Sequence, residues 1–413
     1  MLSPYRVLDL TNERGQLCGQ ILGDLGADVI QIEPPGGSPV RRRGPFVDDV
    51  PHPDRSLQWW ACNRNKRGVT LDLDSPRGQE MLRRLAARAD FLIESETPGV
   101  QAQRGLGHDE LAALNPRLVY VSITPFGQTG PKAHWADSDL VLMAASGPLL
   151  MTGDEDRAPL RVSVPQAYLH AGAEAAGAAL VANHERQRSG QGQHVDVSAQ
   201  QAIALATQSY VLATAAGFFD AQRMSGGAKI GPLTVRFVFP ASDGHVSITF
   251  LFGPSAGPFT RRLMHYVHEE GFCDVATRDK DWIGFFEKLM NGDETMTELE
   301  RIKETVAACT RTKTKAALMQ IALERDLLMA PVATTREVIE NVQLTHRGYW
   351  QTVAHPELGR DVVYPGPFAR PSAMPIRYRR RPPTVGEHNH EIYGGELGLG
   401  GDEIAALGTA GVV

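Results

Sequence analysis

The sequence lacks several features that would assign it to a broad class at once. It has four cysteines, Cys18, Cys62, Cys273 and Cys309, and none forms a C-x-x-C pair, so we expect neither disulfides nor a zinc site. No apolar run approaches the roughly 18 residues of a membrane span, and the N-terminus has no signal-peptide layout. The net charge of −6 lacks the basic excess typical of nucleic-acid binding. We therefore expect a cytoplasmic protein that binds neither nucleic acid nor membranes.

Common catalytic signatures are also missing. The sequence contains no G-x-x-x-x-G-K-[ST], H-E-x-x-H or G-x-S-x-G motif. The first strand-to-helix loop lacks G-x-G-x-x-G, which argues against a nicotinamide or flavin protein. His388 and His390 could suggest a metal, but histidines with this spacing are more often surface residues. Composition and spacing alone indicate a cytoplasmic α/β protein and no particular activity.

The order of predicted elements indicates an α/β fold with a parallel sheet. A strand at 5–10, a helix at 15–25 and a strand at 28–33 form a βαβ unit. Further strands follow at 69–73, 91–94 and 117–124, with helices between them, so helices should cover both faces of the sheet. A chain of 413 residues exceeds what one core usually supports. We predict a large domain of residues 1–205 and 385–413, a small α+β domain of residues 222–330, and linkers at 206–221 and 331–384.

The stretch from Arg161 to Ser198 has the clearest local pattern. We expect a short strand ending at Pro165, an alanine-rich helix, a helix stop at Ser189-Gly190 and a strand over 193–198. Small side chains let other backbones approach the helix closely. The simplest interpretation is a core helix between two strands. Tyr168 stands out because it lies at the strand-to-helix turn, where side chains are presented outward.

Several motifs together resemble one family. They are V-L-D-L-T at 7–11, L-G-A-D-V-I-Q-I-E-P-P-G at 25–36, N-R-N-K-R-G-V-T-L-D-L at 63–73, N-P-R-L-V-Y-V-S-I at 115–123, G-Q-T-G-P at 127–131, S-G-Q-G-Q-H-V-D-V-S at 189–198, H-P-E-L-G at 355–359 and G-E-H-N-H-E-I at 386–392. As a set they resemble the class III CoA-transferases, which include formyl-CoA, carnitine and benzylsuccinate CoA-transferases and α-methylacyl-CoA racemase. The resemblance implies a large Rossmann-like domain, a smaller α+β domain and two interlocked chains. It also implies acyl-CoA as a substrate and no permanently bound cofactor.

The resemblance places Tyr168 at the family's catalytic position. In working transferases an aspartate in a V-P-x-A-D-L pattern attacks the thioester and later carries CoA as an aspartyl thioester. The matching residues here are Val164-Pro165-Gln166-Ala167-Tyr168-Leu169. A phenol with a pKa near 10 is only about 0.1% ionised at pH 7, and it has no acyl carbon on which CoA could be stored. We expect the aspartyl-thioester route to be closed at Tyr168.

The positions that the resemblance assigns to CoA binding also depart from the family pattern. They are Gly15, Pro34, Leu71, Asp74, Ser95 and Arg104. Asp74 stands where a basic residue is common, and Ser95-Glu96 replaces an Asn-Phe pair. A frequent Arg is Gln103 here, although the adjacent Arg104 could substitute for it. Added carboxylates should repel a phosphate-bearing ligand, so we expect a degraded CoA site.

These departures favour the non-catalytic subunit of a heteromeric class III CoA-transferase, paired with an aspartate-bearing homologue. Succinyl-CoA:benzylsuccinate CoA-transferase is the kind of family member built from two related subunits, with an aromatic or dicarboxylic acid as acceptor. One alternative is a catalytic homodimer in which Glu174 or Asp139 is the relocated nucleophile. Another is an acyl-CoA-binding scaffold or sensor without turnover. A racemase is not expected, because Asp137-Ser138-Asp139 replaces that enzyme's G-H-D segment.

Overall fold

The computed structural model describes residues 1–218, 222–230 and 233–413. These residues form two compact units. The first comprises Met1–Pro148, Val162–Thr207 and Gln343–Val413, and the second comprises Leu149–Arg161 and Gln208–Val342. The predicted domain limits stay a prediction, and they differ from the units in three places. Residues 149–161 belong to the second unit, and each of the two predicted linkers, 206–221 and 331–384, is divided between the two units.

The first unit is built on a six-stranded parallel sheet with strand order β3-β2-β1-β4-β5-β6. The strands are β1 Arg6–Asp9, β2 Asp28–Glu33, β3 Lys66–Thr70, β4 Phe91–Glu94, β5 Val119–Thr124 and β6 Gln193–Ser198. Every residue of β3, β4 and β5 is buried, as expected for a sheet covered on both faces. The prediction of an α/β fold with a Rossmann-like parallel sheet is confirmed.

Helices pack on both faces of this sheet. They are α1 Gln16–Asp24, α2 Leu57–Asn63, α3 Pro76–Ala86, α4 Val100–Gln103, α5 His108–Leu114, α6 Asp139–Ala145, α7 Ala167–Ser189 and α8 Ala199–Leu205. One core cluster joins α1, α7 and α8 to Val7, Val121 and Ile123 of the sheet. A second cluster joins α3 and α5 to Leu92 and Tyr120. Successive side chains along β4 and β5 therefore pack on opposite faces of the sheet.

The alanine-rich helix α7 packs closely on α1. A Cβ atom at Gly172 would lie 3.0 Å from Leu17 Cβ and 3.3 Å from the Cys18 backbone nitrogen, so any larger residue would push the two helices apart by a few tenths of an ångström. Gly190 ends the helix in the left-handed conformation with φ 77°. The predicted close approach and helix stop are both confirmed.

Two predicted strands differ from the structure. Residues 161–165 form no strand; they are exposed and irregular. The Asp139 carboxylate instead fixes the start of α7 by accepting hydrogen bonds from the Gln166 and Ala167 backbone nitrogens, at 2.6 and 2.9 Å. Strand β3 begins at Lys66 and not at Val69. The polar side chains at its start are not typical of a buried strand, but ion pairs and hydrogen bonds satisfy them.

The second unit is a smaller α+β assembly. Its strands are β7 Gly227–Ile230, β8 Leu233–Arg236, β9 Val238–Ala241, β10 Gly244–Ile248 and β11 Met329–Pro331. Its helices are α9 Gln208–Ala215, α10 Gly253–Glu269, α11 Val275–Arg278, α12 Phe285–Asn291, α13 Met296–Arg311, α14 Lys315–Arg325 and α15 Thr335–Ile339, and α16 Val342–His346 begins at its last residue. Strands β9 and β10 form the predicted antiparallel hairpin, with Ser242-Asp243 in its turn and Gly244 as the first residue of β10. Phe239, Phe250 and Trp282 lie in its core.

The chain then completes the first unit. Strands β12 Gln351–His355 and β13 Arg360–Tyr364 pair antiparallel, and α17 Gly401–Thr409 closes the chain. Ile404 of α17 joins the core cluster of α3 and α5. Within the described parts of the chain, no helix is both long and apolar enough to cross a membrane.

Candidate functional site

The strand order of the sheet reverses between β1 and β4. In open α/β sheets, ligands bind outside the carboxyl ends of the strands at such a reversal. Two loops meet there, because the Asn12 backbone nitrogen donates a hydrogen bond of 3.2 Å to the Ser95 hydroxyl. Gly15, the residue before α1, lies in the first of these loops, where an added Cβ would lie only 2.6 Å from Thr11 Cγ2. Two of the predicted CoA positions, Gly15 and Ser95, thus lie at the reversal point.

A buried polar network supports this edge of the sheet. The Lys66 ammonium forms an ion pair of 2.8 Å with Asp9, and neither side chain is exposed. Its other acceptors are the Gln16 carbonyl at 3.0 Å, the Gln31 side-chain oxygen at 2.9 Å and the Asn63 side-chain oxygen at 3.0 Å. A buried charge is tolerated when it is paired and hydrogen-bonded in this way. The N-R-N-K-R segment therefore holds β1, β2 and β3 together from within.

Tyr168 lies in the first turn of α7, and its hydroxyl donates a short hydrogen bond to the Asp137 carboxylate. Asp137 also forms an ion pair of 2.5 Å with Arg14, and its side chain is only 7% exposed. Arg14 in turn donates to the Ser95 backbone carbonyl at 3.3 Å. We call Arg14, Asp137 and Tyr168 the tyrosine cluster. It links the predicted catalytic position to the loop that carries Ser95.

The tyrosine cluster keeps Tyr168 protonated. Burial and the hydrogen bond to Asp137 both raise the pKa of the Tyr168 hydroxyl far above its ordinary value, and Arg14 lowers it only in part. A phenol that keeps its proton is a weaker nucleophile than an ionised oxygen, and the hydrogen bond to Asp137 favours the protonated form. The cluster can hold Asp137 in place, but it offers no ionised oxygen at position 168.

Asp74 and Arg104 bind each other. The Asp74 carboxylate accepts hydrogen bonds from the Arg104 guanidinium at 2.8 and 2.6 Å, while Glu96 lies 3.8 Å from the same group. Arg104, which could substitute for the missing Arg, is thus already neutralised. Asp74 itself is 76% exposed, so the pair lies at the surface, where ion pairs contribute little to stability.

The remaining predicted CoA positions follow β2 and β3. Pro34 is exposed, whereas the Leu71 side chain is buried. The Leu71 backbone nitrogen donates to the Glu33 carbonyl at 2.7 Å, which keeps the two strand ends together. Leu71 could therefore meet a ligand only through its backbone. The roles of all six positions in CoA binding remain predictions.

The two alternative nucleophiles lie in different settings. Asp139 accepts the backbone hydrogen bonds that begin α7. Glu174 is exposed and lines a shallow surface pocket with Gly177 and Val181. The carboxylate that contacts the Tyr168 hydroxyl is Asp137.

Sequence reasoning missed the roles of Arg14 and Asp137. Arg14 lies in the β1–α1 loop, a position where ligand contacts are common in this fold, and that position was an available signal. The sequence pattern marked Asp137 only as part of Asp137-Ser138-Asp139, the segment that lacks the histidine of the racemases. Its pairing with a residue 31 positions later follows from the path of the chain, and no local pattern indicates it.

Among residues 1–218, 222–230 and 233–413, no group of three or more His, Cys, Asp or Glu side chains could hold a metal ion. Cys18, Cys62, Cys273 and Cys309 are free thiols. CoA-transferases of the family described next use CoA thioesters as substrates and need no permanent cofactor.

Comparisons with known proteins agree with this architecture. Residues 2–389 match the sequence profile of CoA-transferase family III. The succinyl-CoA:(R)-benzylsuccinate CoA-transferase subunit BbsE of Thauera aromatica is 36% identical, over 94% of this chain and 93% of that protein. The succinyl-CoA–D-citramalate CoA-transferase of Chloroflexus aurantiacus is 32% identical, over 100% of this chain and 98% of that protein. A CAIB/BAIF family protein from Brucella suis has a crystal structure with a TM-score of 0.79 at 27% identity, covering 95% of this chain and 98% of that one. As its motifs predict, the chain belongs to CoA-transferase family III.

Proposed function

We propose that this chain is the non-catalytic subunit of a heteromeric class III CoA-transferase. Its partner would be a homologous chain that carries an aspartate at the position of Tyr168, and the two would form the interlocked assembly that the family resemblance implies. The complex would work in the cytoplasm, where free thiols such as those of this chain persist. The relative from Thauera aromatica is itself named as a subunit of a transferase, which supports this assignment.

The hydrogen bond from Tyr168 to Asp137 is the observation that carries the proposal. The transferase route needs a carboxylate that forms an anhydride with the acyl group and then a thioester with CoA. A phenol could accept an acyl group, but it has no carbonyl carbon to which the CoA sulfur could become bonded. Because the Tyr168 hydroxyl also keeps its proton, the partner's aspartate would be the group that attacks the thioester.

The names of similar proteins indicate the substrate class. Relatives named for succinyl-CoA or succinate use benzylsuccinate, D-citramalate or glutarate as the other acid. All of these acceptors are dicarboxylic acids. We therefore propose succinyl-CoA as donor and a dicarboxylic acid, with (R)-benzylsuccinate as the first one to assay.

Co-expression with an aspartate-bearing homologue tests the proposal. CoA transfer from succinyl-CoA to (R)-benzylsuccinate would be measured for the complex and for each purified chain. We expect turnover by the complex and none by this chain alone. Turnover by the isolated chain at an ordinary rate, about 1 to 1000 per second, would contradict the proposal.

Restoring the aspartate alone should not restore activity. In Tyr168→Asp the shorter side chain leaves a void where the ring packs, and the new carboxylate faces Asp137 without a partner of its own. Catalytic groups need placement within roughly half an ångström. We expect no transferase activity from Tyr168→Asp when it is assayed in a complex whose partner lacks its own aspartate. Asp74→Lys and Ser95→Asn should be needed as well.

Tyr168→Asn is the matched control for that experiment, because it creates the same void without a carboxylate. Equal inactivity of the two variants agrees with the proposal. Substantial turnover by Tyr168→Asp but not by Tyr168→Asn would mean that the cleft is still competent and that Tyr168 alone disables it.

A catalytic homodimer with Glu174 or Asp139 as the relocated nucleophile is the second candidate, and the exposure of Glu174 beside a surface pocket is the observation that favours it. This candidate requires transferase activity from the single chain, and Glu174→Gln or Asp139→Asn should abolish that activity. If neither the chain nor the complex transfers CoA while the chain still binds succinyl-CoA, a scaffold or sensor becomes the better assignment.

A further inference from the structure

A second polar site lies on the other face of the sheet from α7. Val121 and Ile123 of β5 pack toward α7, so Tyr120 and Ser122 point the opposite way. There a cavity of about 300 Å³ opens. Its lining includes the side chains of Glu94, Gln101, His108, Ser122, Gln128 and His194.

Two glutamines, Gln101, which is buried, and Gln128, which is half-buried, give this cavity unused hydrogen-bonding groups. Gln101 is only 5% exposed, and neither its amide nitrogen nor its amide oxygen has a hydrogen-bond partner within the described part of the chain. The Gln128 amide nitrogen is buried without a partner in the same region. Buried polar groups are almost always hydrogen-bonded in folded proteins, because an unpaired one has lost its hydrogen bonds to water without replacing them. Three such atoms around one cavity indicate a ligand that would satisfy them.

The charges around the cavity select against anions. Glu94 is buried at its floor, and Asp109 and Glu110 line it as well. The only ring nitrogens on its wall belong to His108 and His194, and the His194 Nε2 atom is already bonded to the Ser122 hydroxyl at 2.9 Å. A phosphate or carboxylate would meet these acids without an arginine or lysine among the lining residues. The acids of an acyl-CoA or of an acceptor substrate are therefore poor occupants.

The hydrogen-bonding pattern also selects against a simple cation. The Gln101 and Gln128 amino groups are donors and require acceptors, which an ammonium or guanidinium group does not have. The Gln101 oxygen requires a donor. One group that meets both demands is a carboxamide, whose oxygen accepts two hydrogen bonds and whose nitrogen donates two.

Aromatic rings form one wall of the cavity. The His108 and His194 rings stack with centroids 5.2 Å apart and an angle of 14° between their planes. Tyr120 meets His194 edge-on at 5.4 Å. A planar ligand would pack well against this wall.

We propose that the cavity binds a small, neutral, planar molecule that carries a carboxamide group. The carboxamide would pair with the Gln101 amide, and its oxygen would also accept from Gln128. This inference is independent of the proposed transferase role, because none of its residues belongs to the tyrosine cluster.

Four benzene derivatives of nearly equal size test the proposal on the full chain. Benzamide is neutral and has both donor and acceptor, benzoate is its anionic counterpart, benzamidine is cationic, and acetophenone has an acceptor only. Binding would be measured by saturation-transfer NMR and calorimetry. We expect benzamide to bind most tightly, and Gln101→Leu to weaken it at least tenfold.

Gln103→Leu is the matched control, since Gln103 lies on the same short helix but is exposed and does not line the cavity. It should leave benzamide binding unchanged. A second readout needs no variant. Benzamide should shift the imidazole NMR signals of His108 and His194 and leave those of His52, which is 55% exposed, in place.

Three results would overturn the proposal. Benzamide could fail to bind up to its solubility limit, or it could bind without shifting the His108 and His194 signals. Benzoate could also bind as tightly as benzamide and with the same dependence on Gln101. The first result would mean that water satisfies the glutamines, and the second that benzamide binds elsewhere. The third would mean that the cavity does not recognise the donor of the carboxamide.

Discussion

Two polar groups of residues lie on opposite faces of one sheet and satisfy their hydrogen bonds differently. In the tyrosine cluster, Asp137 accepts from both Arg14 and Tyr168. In the cavity lined by Glu94, three amide atoms of Gln101 and Gln128 have no partner among the described residues. A cluster whose polar groups are paired with one another stabilises the fold and leaves few groups to react, whereas unpaired groups can still bind a ligand. The predicted catalytic position lies in the paired cluster.

The largest expected effect comes from opening the tyrosine cluster. Asp137→Ala leaves the Arg14 guanidinium and the Tyr168 hydroxyl without their shared acceptor. Removing one partner of a mostly buried ion pair should lower the free energy of unfolding by about 3 kcal/mol. Asp137→Asn keeps an acceptor and should cost about half as much. Urea unfolding of both variants measures the difference, and equal losses would mean that only packing matters there.

The next effect concerns Glu94 and depends on pH. Burial raises the pKa of Glu94 from 4.5 to about 7, although hydrogen bonds from Ser122 and the Glu96 backbone lower it in part. The folded state therefore binds a proton more tightly than the unfolded state. The protonated Glu94 side chain therefore stabilises the folded state fully below pH 4.5, and this stabilisation is lost as pH rises through about 7.

Glu94→Gln should remove this loss of stability at high pH, because glutamine does not ionise. At pH 8 the variant should be more stable than the native chain by about 2 kcal/mol, allowing for a weaker bond from the Glu96 nitrogen. Near pH 4.5 the two should be equally stable. Unfolding free energies measured from pH 4.5 to 8 test this, and a constant difference across that range would contradict it.

A smaller effect is expected at Gln101. Gln101→Leu replaces an unpaired buried amide by an apolar group of similar size, which should stabilise the chain by about 1 kcal/mol. Gln103→Leu, at an exposed position, should change stability by less than about 0.5 kcal/mol. Thermal unfolding without added ligand measures both. Destabilisation by Gln101→Leu would indicate that bound water already satisfies the amide.

The smallest effect should come from Tyr168→Phe. The variant keeps the ring, which packs against the core cluster of α7, and it leaves Arg14 paired with Asp137. Losing one hydroxyl should cost about 1 kcal/mol or less. A loss as large as that of Asp137→Ala would show that Tyr168, and not Arg14, is the principal partner of Asp137.

Much of the fold could be predicted because its signals are local. The alternation of apolar strands with helices over 5–124 predicts a parallel sheet, since each element must bury a face. Gly190 predicts a helix end because glycine adopts the left-handed conformation without strain. The start of β3 was misplaced because Lys66 becomes acceptable in a buried strand only through Asp9, Gln31 and other residues far away in sequence.

The sequence by itself determined the family and the residue at the predicted catalytic position, since both depend on the order of neighbouring side chains. Tyr168 cannot act as an aspartate in any fold, because that is a matter of covalent chemistry. Only the tertiary structure decided that Asp137 would meet Tyr168 and that Asp74 would neutralise Arg104.

The same limit applies to the cavity. Gln101 and Gln103 are identical residues two positions apart on a helix of four residues, and one is buried while the other is exposed. A helix this short has no periodicity from which burial could be predicted. Strands β4, β5 and β6, brought together from residues 91 to 198, decided which glutamine would face the cavity.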